Sequence, residues 1–591
     1  MKRRLDPHAI HRLVARMLIV GLCSFAPASA ATTTYTSVWA GGTIAPGDTA
    51  ILANGASLTG NVVANGMLEF AQTTSLTTST TISGTGGLAI TNTGTLALTG
   101  LTSGTARFDL AISASQGELA IGATGTNPLV IGNTGVGSLS VTGGSVKNGL
   151  GFLGFAAGSL GTATVSSGTW ANAGSTPRIL YVGYSGTGVL DVAGGYVTNS
   201  NGYVGYEAGS VGTATVSSGT WQNRGTLYVG ARIGGTSGSG TLTLADGAVI
   251  STTAYIGVNT TGFGTVTVTG GTWSNTANLN VGASGTTGTG TLTISGSGGT
   301  GGSVIVGGTL SKGASGTINL NAGGTLQIGT GSNAGVLGTD LVNNGALVFD
   351  RLGTGTVAAS ISGTGSVTLA NTATLRVTGT STYSGPTTVN VGTLLVNGAL
   401  GSTAVAVNTG GALGGSGVIG GAVEVLAGGT LTPGDGVGTL ECGAVTFLDG
   451  AMFRYEWDSQ APATADLLAI MGNLSLSGTV GLVLDDLAAG ARTYADGTTL
   501  SLMNYSGSWT GGFFSRGGVS IADDSLLTVG DQLWRIDYDS TVGGVNRTAD
   551  YLPDGRFVNL VAVPEPSAGV LLGIGLLGPA VAWRRAQRRG A

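Results

Sequence analysis

The chain has 591 residues, of which 112 are glycine and only 9% are charged, and its formal net charge is −5. Both histidines, His8 and His11, lie close to the N-terminus, and Cys442 is the one cysteine besides Cys23. Once residues 1–30 are removed, a Ser-His-Asp triad, a Cys-His pair, a histidine metal site and an internal disulfide are excluded. Hydrolysis by paired carboxylates is the one common catalytic plan that these exclusions leave open. We predict no cofactor, no metal site and no catalytic residues.

The N-terminus has the order of a secretory signal peptide. Basic residues between positions 2 and 16 are followed by an apolar stretch over residues 17–26 and by Ala28-Ser29-Ala30. This order predicts a signal peptide over residues 1–30, with cleavage between Ala30 and Ala31. A lipoprotein signal at Cys23 is the weaker alternative, because Leu22 stands where a small residue is needed.

Charge is unevenly distributed along the exported part of the chain. Residues 31–563 contain 26 acidic and 14 basic residues, which gives a net charge of −12. This balance argues against nucleic acid as a partner, because phosphate binding needs a concentrated basic face. Of the acidic residues, 15 follow position 440, and this shift predicts a domain boundary there.

Residues 31–128 are interpreted as the start and cap of a solenoid.

Internal repeats dominate residues 129–300. The segment 161–170, Gly-Thr-Ala-Thr-Val-Ser-Ser-Gly-Thr-Trp, recurs identically at 212–221 and closely at 264–273, and weaker copies begin at residues 137, 188, 240 and 290. A second short strand, typically Leu-Tyr-Val-Gly, lies between the copies. Each unit therefore carries two predicted strands of period two, separated by glycine-rich turns.

One such unit cannot fold alone. Ordering about 24 residues costs on the order of 24–48 kcal/mol of backbone entropy, whereas about five buried side chains return about 8–15 kcal/mol. Stacked units share hydrogen bonds and a continuous core. The sequence therefore predicts an all-β fold, a right-handed parallel β-helix, followed by a small β-rich cap. Its inward row should contain Val165, Val192, Val216, Leu244, Val268 and Ile294.

Two family resemblances support this interpretation. Residues 129–296 resemble the repeat shared by PEP-CTERM and type V secretion proteins. Residues 383–398, Tyr-Ser-Gly-Pro-Thr-Thr-Val-Asn-Val-Gly-Thr-Leu-Leu-Val-Asn-Gly, resemble the autotransporter-associated β-strand repeat, which segments 414–421 and 428–434 continue. The second resemblance implies a passenger-type β-helix over residues 301–440.

Residues 441–562 alternate predicted strands with acidic turns and are interpreted as a β-rich cap or stalk. Segments 534–539 and 551–558 are predicted to be closing strands. The acidic pairs Asp485-Asp486 and Asp523-Asp524 have two interpretations, either calcium ligands or, more simply, solvated turns, because neither lies in a known calcium-loop pattern.

The C-terminal segment 563–591 has three parts. A proline-containing motif precedes an apolar run over residues 568–583, and four arginines follow. Sixteen helical residues rise only about 24 Å against a hydrocarbon core of about 30 Å, so the run is a marginal transmembrane helix. The motif is Val563, Pro564, Glu565, Pro566 and Ser567, and the basic stop is Arg584, Arg585, Arg588 and Arg589.

This tail resembles the PEP-CTERM sorting signal of Gram-negative bacteria. The resemblance implies export, a transient inner-membrane precursor, recognition and cleavage by an exosortase, and delivery to the cell surface or the exopolysaccharide matrix.

Aromatic residues recur at equivalent repeat positions. Four tyrosines are predicted to point outward, either as a glycan-stacking stripe or, more simply, as a ladder of mutually supporting side chains. Trp170, Trp221 and Trp273, in alternate units, are predicted to fill the wider corner of the long coils, and exposed recognition is the alternative. Thr-x-Thr pairs are typical of ice-binding faces and, more commonly, of ordinary strand surface. The four tyrosines are Tyr181, Tyr203, Tyr228 and Tyr255.

Charged residues in the repeats are dispersed and do not suggest paired carboxylates. We therefore predict a non-catalytic cell-surface or matrix protein, with a structural or adhesive role in an exopolysaccharide biofilm. The alternative is a β-helical carbohydrate-active enzyme, a polysaccharide hydrolase or lyase, that uses carboxylates.

Overall fold

The computed structural model describes residues 30–564 apart from 85, 99–105, 109–110, 115, 122–126, 174–177, 233, 259–260, 283–287, 298–299, 333–334, 461–463, 489–493 and 547–554. The described residues form an all-β protein in which successive coils stack in parallel, as the sequence predicts. None of them lies in a helix long and apolar enough to span a bilayer. Residues 1–29 of the predicted signal peptide, and the sorting tail from Glu565 onward, lie outside the described residues.

Each coil contributes strands to three faces, which we name A, B and C in chain order. The strands of the first sheet of face A are Thr32–Tyr35, Thr49–Leu52, Met67–Phe70, Gly87–Ile90, Ala111–Ala114, Val136–Val141, Leu160–Val165, Thr187–Val192, Val211–Val216, Ser239–Leu244, Phe263–Val268, Thr289–Ile294, Gly316–Leu320, Leu341–Asn343 and Ile361–Ser362. The parallel strands that continue this face are Thr380–Ser381, Ala399–Leu400, Val418–Ile419, Thr439–Cys442, Leu467–Ile470 and Thr499–Tyr505.

Face B is one open stack of strands. They are Leu76–Thr78, Thr95–Leu98, Glu118–Ile121, Ser145–Asn148, Thr169–Asn172, Tyr196–Asn199, Thr220–Asn223, Ala248–Ser251, Thr272–Asn275, Ser303–Val306, Thr325–Ile328, Ala346–Phe349, Ser366–Leu369, Thr387–Val389, Val405–Val407, Val423–Val425, Val445–Phe447 and Leu474–Leu476.

Face C is built from two successive sheets. The strands of the first are Ala106–Phe108, Leu129–Ile131, Gly151–Leu153, Ile179–Val182, Asn201–Val204, Thr226–Val229, Thr253–Ile256, Leu279–Val281, Thr309–Lys312 and Val336–Leu337. Those of the second are Thr354–Val357, Thr374–Val377, Gly392–Val396, Gly411–Gly414, Thr430–Leu431, Met452–Trp457, Thr479–Asp486 and Phe513–Arg516, with the antiparallel Val519–Ser520 at its end.

A few short strands complete the description. Shorter pairings in the first coils join Val38–Trp39 to Ser57–Leu58, and Gly42–Ile44 to Val62–Ala64 and Ile82–Ser83. A small antiparallel pair is made by Gly296–Ser297 and Thr300–Gly301.

The repeat units stack in the predicted register, but each has three strands rather than two. In the repeat at 161–170, the turn at residues 166–168 divides the segment between Leu160–Val165 on face A and Thr169–Asn172 on face B. The predicted inward row is confirmed, because its six members are consecutive register partners and all are fully buried. Alternation of apolar and polar residues therefore placed the core of this region correctly.

Glycine at the corner between faces C and A permits close packing of neighbouring coils. A Cβ atom on Gly212 would lie 2.2 Å from the carbonyl oxygen of Val182 in the coil before it. Gly183 turns the chain with a φ of 78° and has no room for a side chain either. The repeated glycines therefore set how closely one coil lies on the next.

The three repeat tryptophans are fully buried, as predicted, and each is the second residue of a strand on face B. The coil that precedes each tryptophan has a small residue at the inward position of its face C strand. A Cβ atom on Gly202 would lie 3.0 Å from the Trp221 ring and 2.3 Å from Asn223 Oδ1. Trp221 Nε1 donates to Asn199 Oδ1 at 2.8 Å, and Asn199 Nδ2 donates to Asn223 Oδ1 at 2.5 Å. Large and small residues therefore alternate between coils. A buried amide accepts the indole N–H of Trp170 and of Trp221, and the Ser251 hydroxyl accepts that of Trp273.

Parallel stacking continues across the predicted domain boundary at residue 440. Thr439–Cys442 pairs in parallel with Leu467–Ile470, and Thr479–Asp486 pairs in parallel with Phe513–Arg516. The change in fold comes later, where Arg556–Val563 pairs in antiparallel fashion with Thr499–Tyr505 and Gln532–Ser540. The acidic region thus contains the last coils of the solenoid as well as its cap.

The cap contains both predicted closing segments, as far as they are described. Residues 534–539 lie in Gln532–Ser540, and the described end of 551–558 lies in Arg556–Val563. Trp534 and Tyr538, both on the strand Gln532–Ser540, have buried side chains. Val563, assigned to the tail from sequence, is the last residue of a strand, and Pro564 follows as an exposed residue.

Candidate functional site

The four tyrosines of the predicted stripe lie on face C. Register pairs Tyr181 with Tyr203, Tyr203 with Tyr228, and Tyr228 with Tyr255 on consecutive strands. The valine or isoleucine after each tyrosine is fully buried. Because side chains alternate along a strand, the tyrosines point away from the core.

The tyrosine rings stack on one another along the axis of the solenoid. Their centroids are 5.2, 4.5 and 5.4 Å apart from Tyr181 to Tyr255, and the interplanar angles are 14°, 5° and 9°. Phe152 extends the stack, with its centroid 4.9 Å from that of Tyr181. We call Phe152 and the four tyrosines the first aromatic row. The ladder interpretation of the tyrosines is therefore the one the geometry supports.

A second aromatic row, which sequence reasoning missed, lies beside the first. Phe155 stacks on Tyr184 with centroids 5.2 Å apart, and Tyr184 stacks on Tyr206 at the same separation. The rings of the two rows meet edge to face, as between Tyr203 and Tyr206, whose centroids are 4.9 Å apart at 78°. The available signal was an aromatic residue immediately after the corner glycine in Phe-Leu-Gly-Phe, Tyr-Val-Gly-Tyr and Tyr-Val-Gly-Tyr.

The guanidinium group of Arg232 packs on the last ring of the second aromatic row, that of Tyr206. The Arg232 guanidinium carbon lies 4.5 Å from the centroid of Tyr206, and Arg232 Nη1 lies 2.6 Å from Glu207 Oε2. Ala231 follows the glycine in this coil, where the earlier coils have an aromatic residue. The row ends there, and the ion-paired guanidinium covers the face of its last ring.

This packing limits how the aromatic rows can contact a ligand. Ring faces within the first row are covered by neighbouring rings, and Tyr228 is only 6% exposed. Burial raises the pKa of Tyr181 and of Tyr203, and neighbouring tyrosines raise both further. Their hydroxyls therefore stay protonated at neutral pH. A sugar cannot lie flat along the row, so any contact with the row uses ring edges and hydroxyl groups.

The acidic pairs have protein partners of their own. Asp485 lies at the end of a strand and forms an ion pair with Arg454, with Oδ2 2.6 Å from Nε. Asp524 is ion-paired with Arg535. Asp523 Oδ1 accepts the backbone N–H of Tyr538 at 3.0 Å. In the cap, one carboxylate oxygen from each of Asp523, Asp537 and Asp539 lies within 4.8 Å of the others.

Asp466 is a fully buried carboxyl group, and we predict that it makes stability depend on pH. Its oxygens accept the backbone N–H groups of Gly438 and Glu456, each at 2.9 Å, yet burial raises its pKa to about 8. The folded state therefore holds this proton more tightly than the unfolded state. This contribution to stability is complete below pH 4 and is lost as pH rises through 8, by up to about 1.4 kcal/mol per pH unit.

Urea denaturation of the wild type and of Asp466→Asn between pH 5 and 8 tests this prediction. The variant loses one acceptor but cannot titrate at this position. The stability of the wild type relative to the variant should therefore fall as pH rises. Parallel pH profiles would contradict the prediction.

The predicted sorting motif is described only at its start: Val563 and Pro564 are among the described residues, and Glu565 and the residues after it are not. Gln532 Nε2 donates to the Val563 carbonyl oxygen at 3.2 Å, so the cap holds the start of the motif. At the other end, the Ala31 backbone N–H donates to Asp48 Oδ1 at 2.9 Å, and the first strand is Thr32–Tyr35. The described fold thus begins next to the predicted cleavage site and ends at the predicted sorting motif.

Comparison with known proteins identifies the tail. Residues 562–589 match the PEP-CTERM protein-sorting motif. Over 81 residues, or 13% of this chain, the sequence is 43% identical to "Adhesin BmaC autotransporter" of Brucella suis biovar 1 (strain 1330). That stretch is 2% of the adhesin, so the chain spans a small fraction of the length of this relative. The chain is therefore an all-β solenoid that carries a PEP-CTERM protein-sorting motif at its C-terminus.

Proposed function

We propose that this protein is an exported, non-catalytic rod of the cell surface or extracellular matrix, with a structural or adhesive role alongside exopolysaccharide. An exosortase recognises and processes its C-terminal motif after a transient inner-membrane stage. The observation that carries the proposal is the parallel stack of the described coils, which share one hydrophobic core from the first coil to the cap. Such a stack presents the same outward positions coil after coil.

The mechanism is multivalent contact along a rigid surface. On face A the outward threonines Thr213, Thr241, Thr265 and Thr291 are consecutive register partners. Each hydroxyl offers only a weak contact, but a long polymer meets many of them at once. Weak contacts at a fixed spacing combine into avidity without a deep binding pocket.

The two sequence comparisons support this proposal in different ways. A sorting motif of this kind suits a protein destined for the surface, and similarity to a stretch of an autotransporter adhesin suits an adhesive solenoid. The carbohydrate-active enzyme remains the alternative. Several solenoid carboxylates are already engaged in ion pairs, as in Glu118–Lys147 and Asp435–Arg376, which favours a structural role for these groups.

Protease shaving of intact cells tests the destination. The full chain should be cleaved by an external protease, whereas a variant truncated after Val563 should resist cleavage or appear in the medium. A cytoplasmic protein expressed in the same cells controls for lysis. Equal surface exposure of both forms would contradict sorting through the motif.

Polysaccharide co-sedimentation tests the activity. The purified rod should sediment with exopolysaccharide from the producing cells without releasing reducing ends. Release of reducing ends that disappears when a single carboxylate is replaced would favour the enzyme instead.

A further inference from the structure

A groove opens on face A beside the strand Gly316–Leu320, where the next strand of the face, Leu341–Asn343, is shorter. Thr289–Ile294 pairs with Gly316–Leu320 over five residues, but on the other side of Gly316–Leu320 the strand Leu341–Asn343 pairs with it only at Asn319 and Leu320. Gly316, Thr317 and Ile318 therefore have no strand partner on the side of the later coils. The step leaves a groove of about 460 Å³. This volume lies within the range of small-ligand sites, about 300–1,000 Å³.

The groove combines polar groups with a small apolar surface. Val342 is 54% exposed and supplies C–H contacts, whereas Ile318, which also lines the groove, is only 7% exposed. Asp340 Oδ1 accepts the backbone N–H of Ser360 at 2.8 Å, which fixes the carboxylate at the rim. The polar side chains of the lining are Lys312, Thr317, Asn319, Asp340, Ser360 and Ser362.

Lys312 is the distinctive member of this group. After residue 30 the sequence has two lysines, and Lys147 is ion-paired with Glu118. Lys312 is exposed, and no carboxylate among the described residues lies within 4 Å of its ammonium group. An ammonium group that has no carboxylate partner within the described part of the chain, at the edge of a polar groove, is suited to bind a ligand carboxylate.

We propose that this groove binds one uronic acid unit of an acidic polysaccharide, with the sugar carboxylate on Lys312. Hydroxyl groups of the ring bond to Asn319 and to the fixed carboxylate of Asp340, and its C–H face lies on Val342. Asp340 repels a second carboxylate, so the site takes one acidic unit in one orientation. This inference rests on the proposed glycan-associated function and names the chemical class of the ligand.

Titration calorimetry with tetragalacturonic acid and with its methyl ester tests the inference. The wild type should bind the acid, and Lys312→Gln should bind it roughly tenfold more weakly, the loss expected for a charge-assisted hydrogen bond of about 1.5 kcal/mol. Lys147→Gln, which removes the same charge elsewhere on the solenoid, should bind like the wild type. The ester should bind the wild type as weakly as the acid binds Lys312→Gln.

A second readout locates the contact directly. The acid should slow acylation of Lys312 by an amine-reactive ester, measured by mass spectrometry, and leave the rate at Lys147 unchanged. Equal binding of acid and ester, equal binding by Lys312→Gln and wild type, or no binding of the acid would each overturn the inference. Co-sedimentation with exopolysaccharide in those cases would leave the proposed function standing without this site.

Discussion

Replacing Trp221 by alanine should destabilise the central coils by about 3–5 kcal/mol, the range found for large buried aromatic residues. The indole is fully buried above Gly202, and its removal leaves a cavity that the glycine of the coil before cannot fill. It also removes the donor to Asn199 Oδ1, whose amide lies in the buried chain that leads to Asn223. An unsatisfied buried acceptor adds its desolvation cost to that of the cavity.

The effect should be local, because coils in a solenoid contact only their neighbours. Hydrogen exchange measured by mass spectrometry should show faster exchange in the coils around residues 196–229 and unchanged exchange in the cap. Thr220→Ala, a half-exposed outward neighbour on the same strand, is the matched control and should change exchange little. Equal exchange in Trp221→Ala and Thr220→Ala would contradict the role assigned to the indole.

Sequence reasoning located the core well wherever the period was regular. The inward row from Val165 to Ile294 and the buried tryptophans follow from alternation within an exact repeat. The shift in charge at residue 440 is not accompanied by a change in stacking, because the strand there keeps its charged residue at an outward position. Glu441 is half-buried between Leu440 and Cys442, both of which are fully buried. A change in surface charge therefore does not mark a change in the stacking of coils.

The features missed from sequence depend on contacts between coils. The second aromatic row was missed because a residue after a corner glycine belongs to no strand, and alternation gives no direction for its side chain. The groove beside Lys312 depends on unequal strand lengths in successive coils, from five residues in Gly316–Leu320 to three in Leu341–Asn343. Strand length is set by where each coil turns, which is the least regular property of the repeat.

Replacing Tyr203 by serine should destabilise the solenoid by about 3 kcal/mol, because it removes three aromatic pairs of about 0.5–1.5 kcal/mol each, together with buried ring area. Tyr203 stacks between Tyr181 and Tyr228 and meets Tyr206 edge to face. Tyr203→Phe keeps every ring contact and should remain within about 1 kcal/mol of the wild type. Chemical denaturation of the three proteins gives the comparison, and similar losses for serine and phenylalanine would contradict the ladder.

Substitution of the four tyrosines by phenylalanine distinguishes their structural role from a role in glycan binding. Changing Tyr181, Tyr203, Tyr228 and Tyr255 together to serine would weaken glycan binding through loss of structure alone, so that variant cannot assign a role. The fourfold change to phenylalanine keeps the stack and removes only the hydroxyl groups at its edge. If those hydroxyls bind polysaccharide, co-sedimentation should fall while the denaturation midpoint stays close to that of the wild type. Undiminished co-sedimentation would leave the row a purely structural ladder, because the stacked ring faces are already occupied by one another.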